Sequence, residues 1–128
     1  MKTSILIVED DESIAGLIEF LLRREGYEVI LAKDGLSAKR QISESPPPDL
    51  VLLDIMLPYI DGIHLLELIK NLPTWSQVPV IMLTVRSAES VVAKALEIGA
   101  EDFIAKPFQP MELVARVNRR LKQKKVSR

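Results

Sequence analysis

The chain has 128 residues, 48% of them hydrophobic, enough for one globular domain with a buried core and too many for a disordered chain. It has no cysteine, which excludes a disulfide framework, thiol chemistry and a thiolate metal site and permits a reducing compartment. The formal charge is −1, and no apolar run approaches the roughly 18 residues of a membrane span or the length of a signal peptide, so a cytoplasmic location is expected.

Apolar runs of strand length alternate with stretches of helical period. Ser4–Val8 is the first predicted strand, closed by Glu9, Asp10 and Asp11. Ile14, Leu17, Ile18, Leu21 and Leu22 then mark one apolar helix face that ends at Gly26. Tyr27–Ala32 is a second, weaker strand, and Asp34 is placed to cap a short helix that Pro46-Pro47-Pro48 stops. Leu50-Val51-Leu52-Leu53 is apolar on both faces and ends at Asp54. Beyond a loop with Pro58 and Gly62, Ile63, Leu66 and Ile69 run along a third helix. Pro79–Leu83 is a fourth buried strand ending at Thr84, and a helix from about Ala88 to Ile98 stops at Gly99. Phe103–Ala105 is a short fifth strand followed by Lys106-Pro107. Pro110 opens the last helix, with Leu113, Val114, Val117 and Leu121 facing inward.

Five strands alternating with five helices predict a doubly wound α/β sheet with helices on both faces. Strands apolar on both sides are what a covered parallel sheet requires. The domain is expected over residues 1–121. Residues 122–128 are expected to be a basic tail, a solvated last helix turn and the start of a linker to an effector domain. Up to position 115 ten basic residues oppose eighteen acidic ones, net −8, and the remaining stretch carries +7. An acidic body with a short basic end is not the pattern of a nucleic-acid-binding domain.

In such sheets ligands bind outside the carboxyl ends of the strands. Glu9 and Asp10 end the first strand, Asp54 the third and Thr84 the fourth, and Lys106 follows the fifth. Each alone reads as a turn residue, but four strand ends agree. Clustered carboxylates repel unless a cation neutralises them. An all-oxygen, incomplete cage suits Mg²⁺. A lysine and a hydroxyl beside such a cluster are placed to meet a transferred anionic group, and an aspartate between metal and lysine can accept a phosphoryl group.

These residues resemble the receiver domain of two-component response regulators over essentially Lys2 to Leu121. The matching pieces are Ile5–Asp11, Leu52–Pro58 with Asp61-Gly62, Pro79–Thr84, and Gly99-Ala100 through Lys106-Pro107-Phe108. Their intervals fit as well: Asp10 to Asp54 is 44, Asp54 to Thr84 is 30 and Thr84 to Lys106 is 22. The resemblance implies a flavodoxin-like sheet of strand order 2-1-3-4-5. It implies Asp54 as the phosphoacceptor of a histidine kinase. Asp10 would bind Mg²⁺ directly, Glu9 through water and Met56 through its backbone carbonyl, while Asp11 is a helix cap. Lys106 would bridge carboxylate and phosphoryl oxygens, Thr84 and Phe103 would form a switch pair, and Lys106-Pro107 would be cis. Met56, Val85 and Arg86 carry no carboxylate or amide able to orient a water for hydrolysis, which predicts slow self-dephosphorylation. The resemblance also implies a downstream transcriptional effector, or a stand-alone receiver that acts by docking.

The chain departs from the family pattern in places. Val85 stands where a smaller residue is usual and should narrow access to the site. Phe103 replaces the frequent tyrosine. Asp102, Glu112 and Arg116 fit a homodimer through the fourth helix, fifth strand and fifth helix, whereas Val92 stands where a basic residue is usual. His64 reads as a surface residue, Trp75 as cover for a helix–strand junction, and Arg86 as either solvated surface or a neighbour of the phosphoryl site. Three competing functions fit less well. An FMN carrier needs a hydroxyl-rich phosphate loop where this chain has Glu9-Asp10-Asp11-Glu12. An aspartate-nucleophile phosphatase needs a second acid at Met56. A phosphorylation-independent docking domain would be expected to have lost a site residue, and none is lost.

Overall fold

The computed structural model describes residues 2–85 and 89–126, with side chains as far as Lys122. Five parallel strands, β1 (Ser4–Val8), β2 (Glu28–Ala32), β3 (Leu50–Asp54), β4 (Val80–Val85) and β5 (Asp102–Lys106), form one sheet of order β2-β1-β3-β4-β5. Five helices connect and follow them: α1 (Glu12–Arg24), α2 (Gly35–Glu44), α3 (Gly62–Asn71), α4 (Glu89–Ile98) and α5 (Pro110–Val126).

Strand periodicity divides the core into two. Leu6, Val8, Val51, Leu53, Val80 and Met82 point to the face covered by α2, α3 and α4. Ile5, Ile7, Leu50, Leu52, Ile81 and Leu83 point to the other, where Ile18 and Leu22 of α1 and Leu113, Val117 and Leu121 of α5 meet them. The alternation is the ordinary two-sided pleat, and both sides are dry.

Aspartates start the first three helices. Asp11 accepts from the Ile14 amide at 3.1 Å, Asp34 from Ser37 at 2.7 Å and Asp61 from His64 at 2.9 Å, each satisfying an orphan N–H of the first turn. Gly26 follows α1 at φ +93°, a left-handed turn that leads the chain into β2. The Lys106-Pro107 bond is cis, as the resemblance implied.

Two expectations need adjustment. Leu17 is 42% exposed and does not share the buried face, which is built from Ala15, Ile18, Leu21 and Leu22. At 100° per residue Leu17 falls roughly 120° from the centre of that stripe. Val114 is half-buried at the edge of the α1–α5 contact rather than fully inward. Helix α5 runs to Val126, and its last turns carry the start of the basic stretch. Among the described residues, no helix is long and apolar enough to cross a membrane. Arg86 and Ala88 lie outside the described residues.

Candidate phosphoacceptor site

The strands are parallel and in register, so their carboxyl ends come out on one edge and bring the chemistry with them. Asp54 ends the central strand, paired with Leu83 of β4. Glu9 and Asp10 follow β1, Thr84 lies near the end of β4, and Lys106 closes β5. Glu9, Asp54 and Thr84 are buried, at 2%, 4% and 3% exposure, while Asp10 is exposed.

Lys106 ties the cluster together. Its Nζ lies 3.0 Å from Asp54 Oδ2 and 2.7 Å from Glu9 Oε1. The other Asp54 oxygen, Oδ1, accepts from the Met56 amide at 3.1 Å, and Glu9 Oε2 accepts from the Asp11 amide. Buried Glu9 Oε1 has the Lys106 ammonium at 2.7 Å and no further partner among the described residues. Carboxylate oxygens of Glu9, Asp10 and Asp54 lie within 4.8 Å of one another, close enough to hold one metal ion.

The electrostatics express the crowding. Burial pushes the Glu9 carboxyl up to about 7; the Lys106 ammonium and the Asp11 amide pull it down, and the Asp54 charge adds to the rise. Burial works against the Lys106 charge too, but Glu9 and Asp54 outweigh it and raise its pKa. Three carboxylates that share one lysine call for a hard cation.

Backbone packing holds Asp54 in place. The amide of Gly62 donates to the Ile55 carbonyl at 2.7 Å. A Cβ on Gly62 would stand 2.3 Å from the Asp54 carbonyl oxygen. Only glycine lets α3 begin that close to Asp54. The sequence shows Asp61-Gly62 as a motif without this contact, and it also gives no sign of the Met56 amide that orients Asp54.

The structure does not bring the Thr84 hydroxyl to Asp54; it donates to the Val85 carbonyl at 3.3 Å. Phe103 is 39% exposed. Between them lies a cavity of about 500 Å³ walled also by Val85, Val92, Leu96 and Ala105. Asp102, Glu112 and Arg116 do come together, within one chain: Arg116 binds Asp102 at 3.0 Å and Glu112 at 3.1 Å. His64 is exposed on α3. Trp75 is buried, and its indole N–H donates to the Ser45 carbonyl at 3.4 Å. It covers the amino end of β4, opposite the acidic cluster.

The family model for the response regulator receiver domain matches residues 5–118. The chain belongs to that family. As a receiver domain it is 39% identical to the alkaline phosphatase synthesis transcriptional regulatory protein PhoP of Bacillus subtilis over 127 residues, 99% of this chain and 52% of that protein. The receiver domain spans about half the length of the curated relatives it matches. A CheY-like receiver domain protein from Methanospirillum hungatei superposes with a TM-score of 0.91 at 29% identity, with both chains covered in full. The receiver domain of a sensor histidine kinase from Pseudomonas aeruginosa, solved with magnesium coordinated in its active site cleft, gives 0.85 at 33% identity, covering 95% of this chain and 99% of that one. The receiver domain described here is thus a phosphoacceptor switch of two-component signalling.

Proposed function

We propose that Asp54 accepts a phosphoryl group from a phosphohistidine on a histidine kinase, and that the resulting change of surface controls an effector. The observation that carries this reading is Lys106 Nζ held between buried Asp54 and Glu9, at 3.0 and 2.7 Å. Glu9, Asp10 and Asp54 would hold Mg²⁺, with the Met56 carbonyl as a backbone ligand. The mutual approach of the three carboxylates, with a single lysine to offset them, fits that ion. When bound, Mg²⁺ supplies positive charge that offsets carboxylate repulsion and stabilises the anionic transition state.

The protein's own groups do the rest by position. The Met56 amide and Lys106 fix the two Asp54 oxygens, so that a lone pair is presented to phosphorus without reorganisation. An oxygen–phosphorus bond forms, the nitrogen–phosphorus bond breaks, and the electron pair stays on the departing imidazole. Lys106 then stands beside the new phosphoryl oxygens as their counter-charge.

Thr84 and Phe103 form the readout. The Thr84 hydroxyl would leave the Val85 carbonyl for a phosphoryl oxygen, and the exposed Phe103 ring would turn into the cavity of about 500 Å³ that lies between the two residues. The face made by α4, β5 and α5 would then rearrange and pair two copies. By analogy with the transcriptional regulators that the chain resembles, the effector under this control would be a transcriptional one. Self-dephosphorylation would be slow, because neither Met56 nor Val85 carries a group able to orient water. The test is incubation with acetyl phosphate and Mg²⁺. One acid-stable, base-labile phosphoryl group is expected, absent in Asp54→Asn; label that survives that substitution would overturn the reading.

A further inference from the structure

The loop between β3 and α3 carries a backbone feature that the transfer chemistry does not use. Tyr59 stands at φ +71°, and the Ile60 amide donates to the Pro58 carbonyl at 2.9 Å. A bond closing around one residue at positive φ is a γ-turn of the rare, strained kind. A bulky aromatic residue is disfavoured there, where glycine or asparagine sits at little cost. Such strain persists where something else repays it. Burial within the chain does not, because Tyr59 is 84% exposed.

The platform under Tyr59 is firm. The loop is closed by the Gly62 amide on the Ile55 carbonyl at 2.7 Å. On its other side α2 abuts it so closely that a Cβ on Gly35 would stand 2.4 Å from the Ile60 carbonyl oxygen. The root of the loop is Asp54 itself. Met56, 70% exposed, stands on the same loop, and beside it a cavity of about 580 Å³ is walled by Leu57, Ile63, Val91 and Lys94. A large, stiff aromatic side chain is therefore presented to solvent on a fixed apolar rim, five residues from the phosphoacceptor.

We propose that Tyr59 is a recognition residue for the protein that delivers the phosphoryl group, buried in that complex and setting which donor is accepted. The proposal rests on Asp54 being the acceptor. Asp54 is only 4% exposed, so a protein donor must cover the rim of the site to bring phosphorus to bonding distance, and this loop is part of that rim. Tyrosine suits that role because it buries much area with few torsions and is enriched among the residues that dominate interface energies.

The test uses Tyr59→Gly, which relieves the strained backbone, with Tyr59→Phe as the conservative control. Acetyl phosphate serves as the small donor, and the autophosphorylated kinase core domains of the source organism as protein donors. Tyr59→Gly is expected to melt at or above the wild-type temperature and to take label from acetyl phosphate at the wild-type rate. Its kcat/KM with the kinase that labels wild type fastest should fall tenfold or more, mainly through KM, and Tyr59→Phe should restore most of it. Kinase transfer at the wild-type kcat/KM in Tyr59→Gly would overturn the proposal. So would unchanged transfer with weakened self-association of the phosphorylated chain, which would assign the ring to a second copy. Failure of acetyl phosphate to label wild type at Asp54 would instead remove the acceptor reading beneath it.

Discussion

Lys106 reaches from the end of β5 to within 3.0 Å of Asp54 on β3, and its side chain is 16% exposed against 6% for its partner. The pair crosses β4, so the lysine must stretch over the carboxyl edge to meet the acceptor. It also neutralises Glu9, and two buried carboxylates therefore depend on one ammonium.

Removing that ammonium leaves both carboxylates buried without a cation. Breaking a buried ion pair from one side costs on the order of 3 kcal/mol. Lys106→Met in metal-free buffer is expected to lose about that much stability at pH 8 in urea denaturation. The loss should shrink at pH 6, where Glu9 takes up a proton, and shrink again on adding Mg²⁺. Equal destabilisation under all three conditions would mean that lost packing, not charge, dominates.

At the proposed metal site a proton and Mg²⁺ would compete for Glu9. Its carboxyl, ordinarily near 4.5, is raised to about 7 in the folded chain. A raised carboxyl contributes stability below its ordinary value and loses it as pH rises to about 7, so the metal-free chain should weaken across that window. Mg²⁺ requires the ionised form, so its affinity should rise about tenfold from pH 6 to pH 8 and then level off. Calorimetric titration at three pH values measures this, and Glu9→Gln should flatten the profile. Trp75 fluorescence is a poor reporter for the titration, because that ring is buried at the far end of the sheet.

Gly62 tests how tightly the backbone sets Asp54. An added Cβ would meet the Asp54 carbonyl oxygen at 2.3 Å, and the obstacle is main chain that cannot swing away. Gly62→Ala is expected to cost about 1–3 kcal/mol through overpacking and to slow labelling by acetyl phosphate, as Asp54 shifts from Lys106. Thermal unfolding and labelling rate together check this. Gly16, with nothing within 4 Å of its would-be Cβ, is the matched control.

What the sequence made legible follows from burial. Strands covered on both sides need unbroken apolar runs, so Leu50-Val51-Leu52-Leu53 and Val80–Leu83 stand out, and the first polar residue after each marks the edge where ligands bind. Glu9, Asp54, Thr84 and Lys106 are therefore readable as one set from the order of residues alone. Contacts between distant segments are not. The approach of Gly62 to Asp54, of Gly35 to Ile60, and the double pairing of Lys106 depend on how loops meet in space, and no local pattern carries that. Leu17 misleads because an amphipathic count registers spacing, and a residue at the flank of a stripe shares the spacing without sharing the burial. Tyr59 escapes notice because positive φ is expected at glycine and asparagine, and its side chain gives no warning.

Val85 pairs with Lys106 across the β4–β5 register and is 42% exposed. It also walls the cavity between Thr84 and Phe103. Its side chain therefore borders the space into which the ring would turn, and its strand neighbour Lys106 is the residue that reaches the Asp54 carboxylate. Trimming it to alanine removes two methyl groups from an exposed position, where little packing is lost. Val85→Ala is expected to leave stability within about 1 kcal/mol of wild type. The same change should speed labelling by acetyl phosphate by up to roughly fivefold, which corresponds to about 1 kcal/mol of barrier. Hydrolysis should respond less, because neither Met56 nor alanine at position 85 can hold a water in line with the breaking bond, and the phosphorylated state should still last minutes or longer. Time courses of label gain and loss in the two proteins separate the effects. Equal rates of labelling in both would show that the bulk at Val85 does not gate the site.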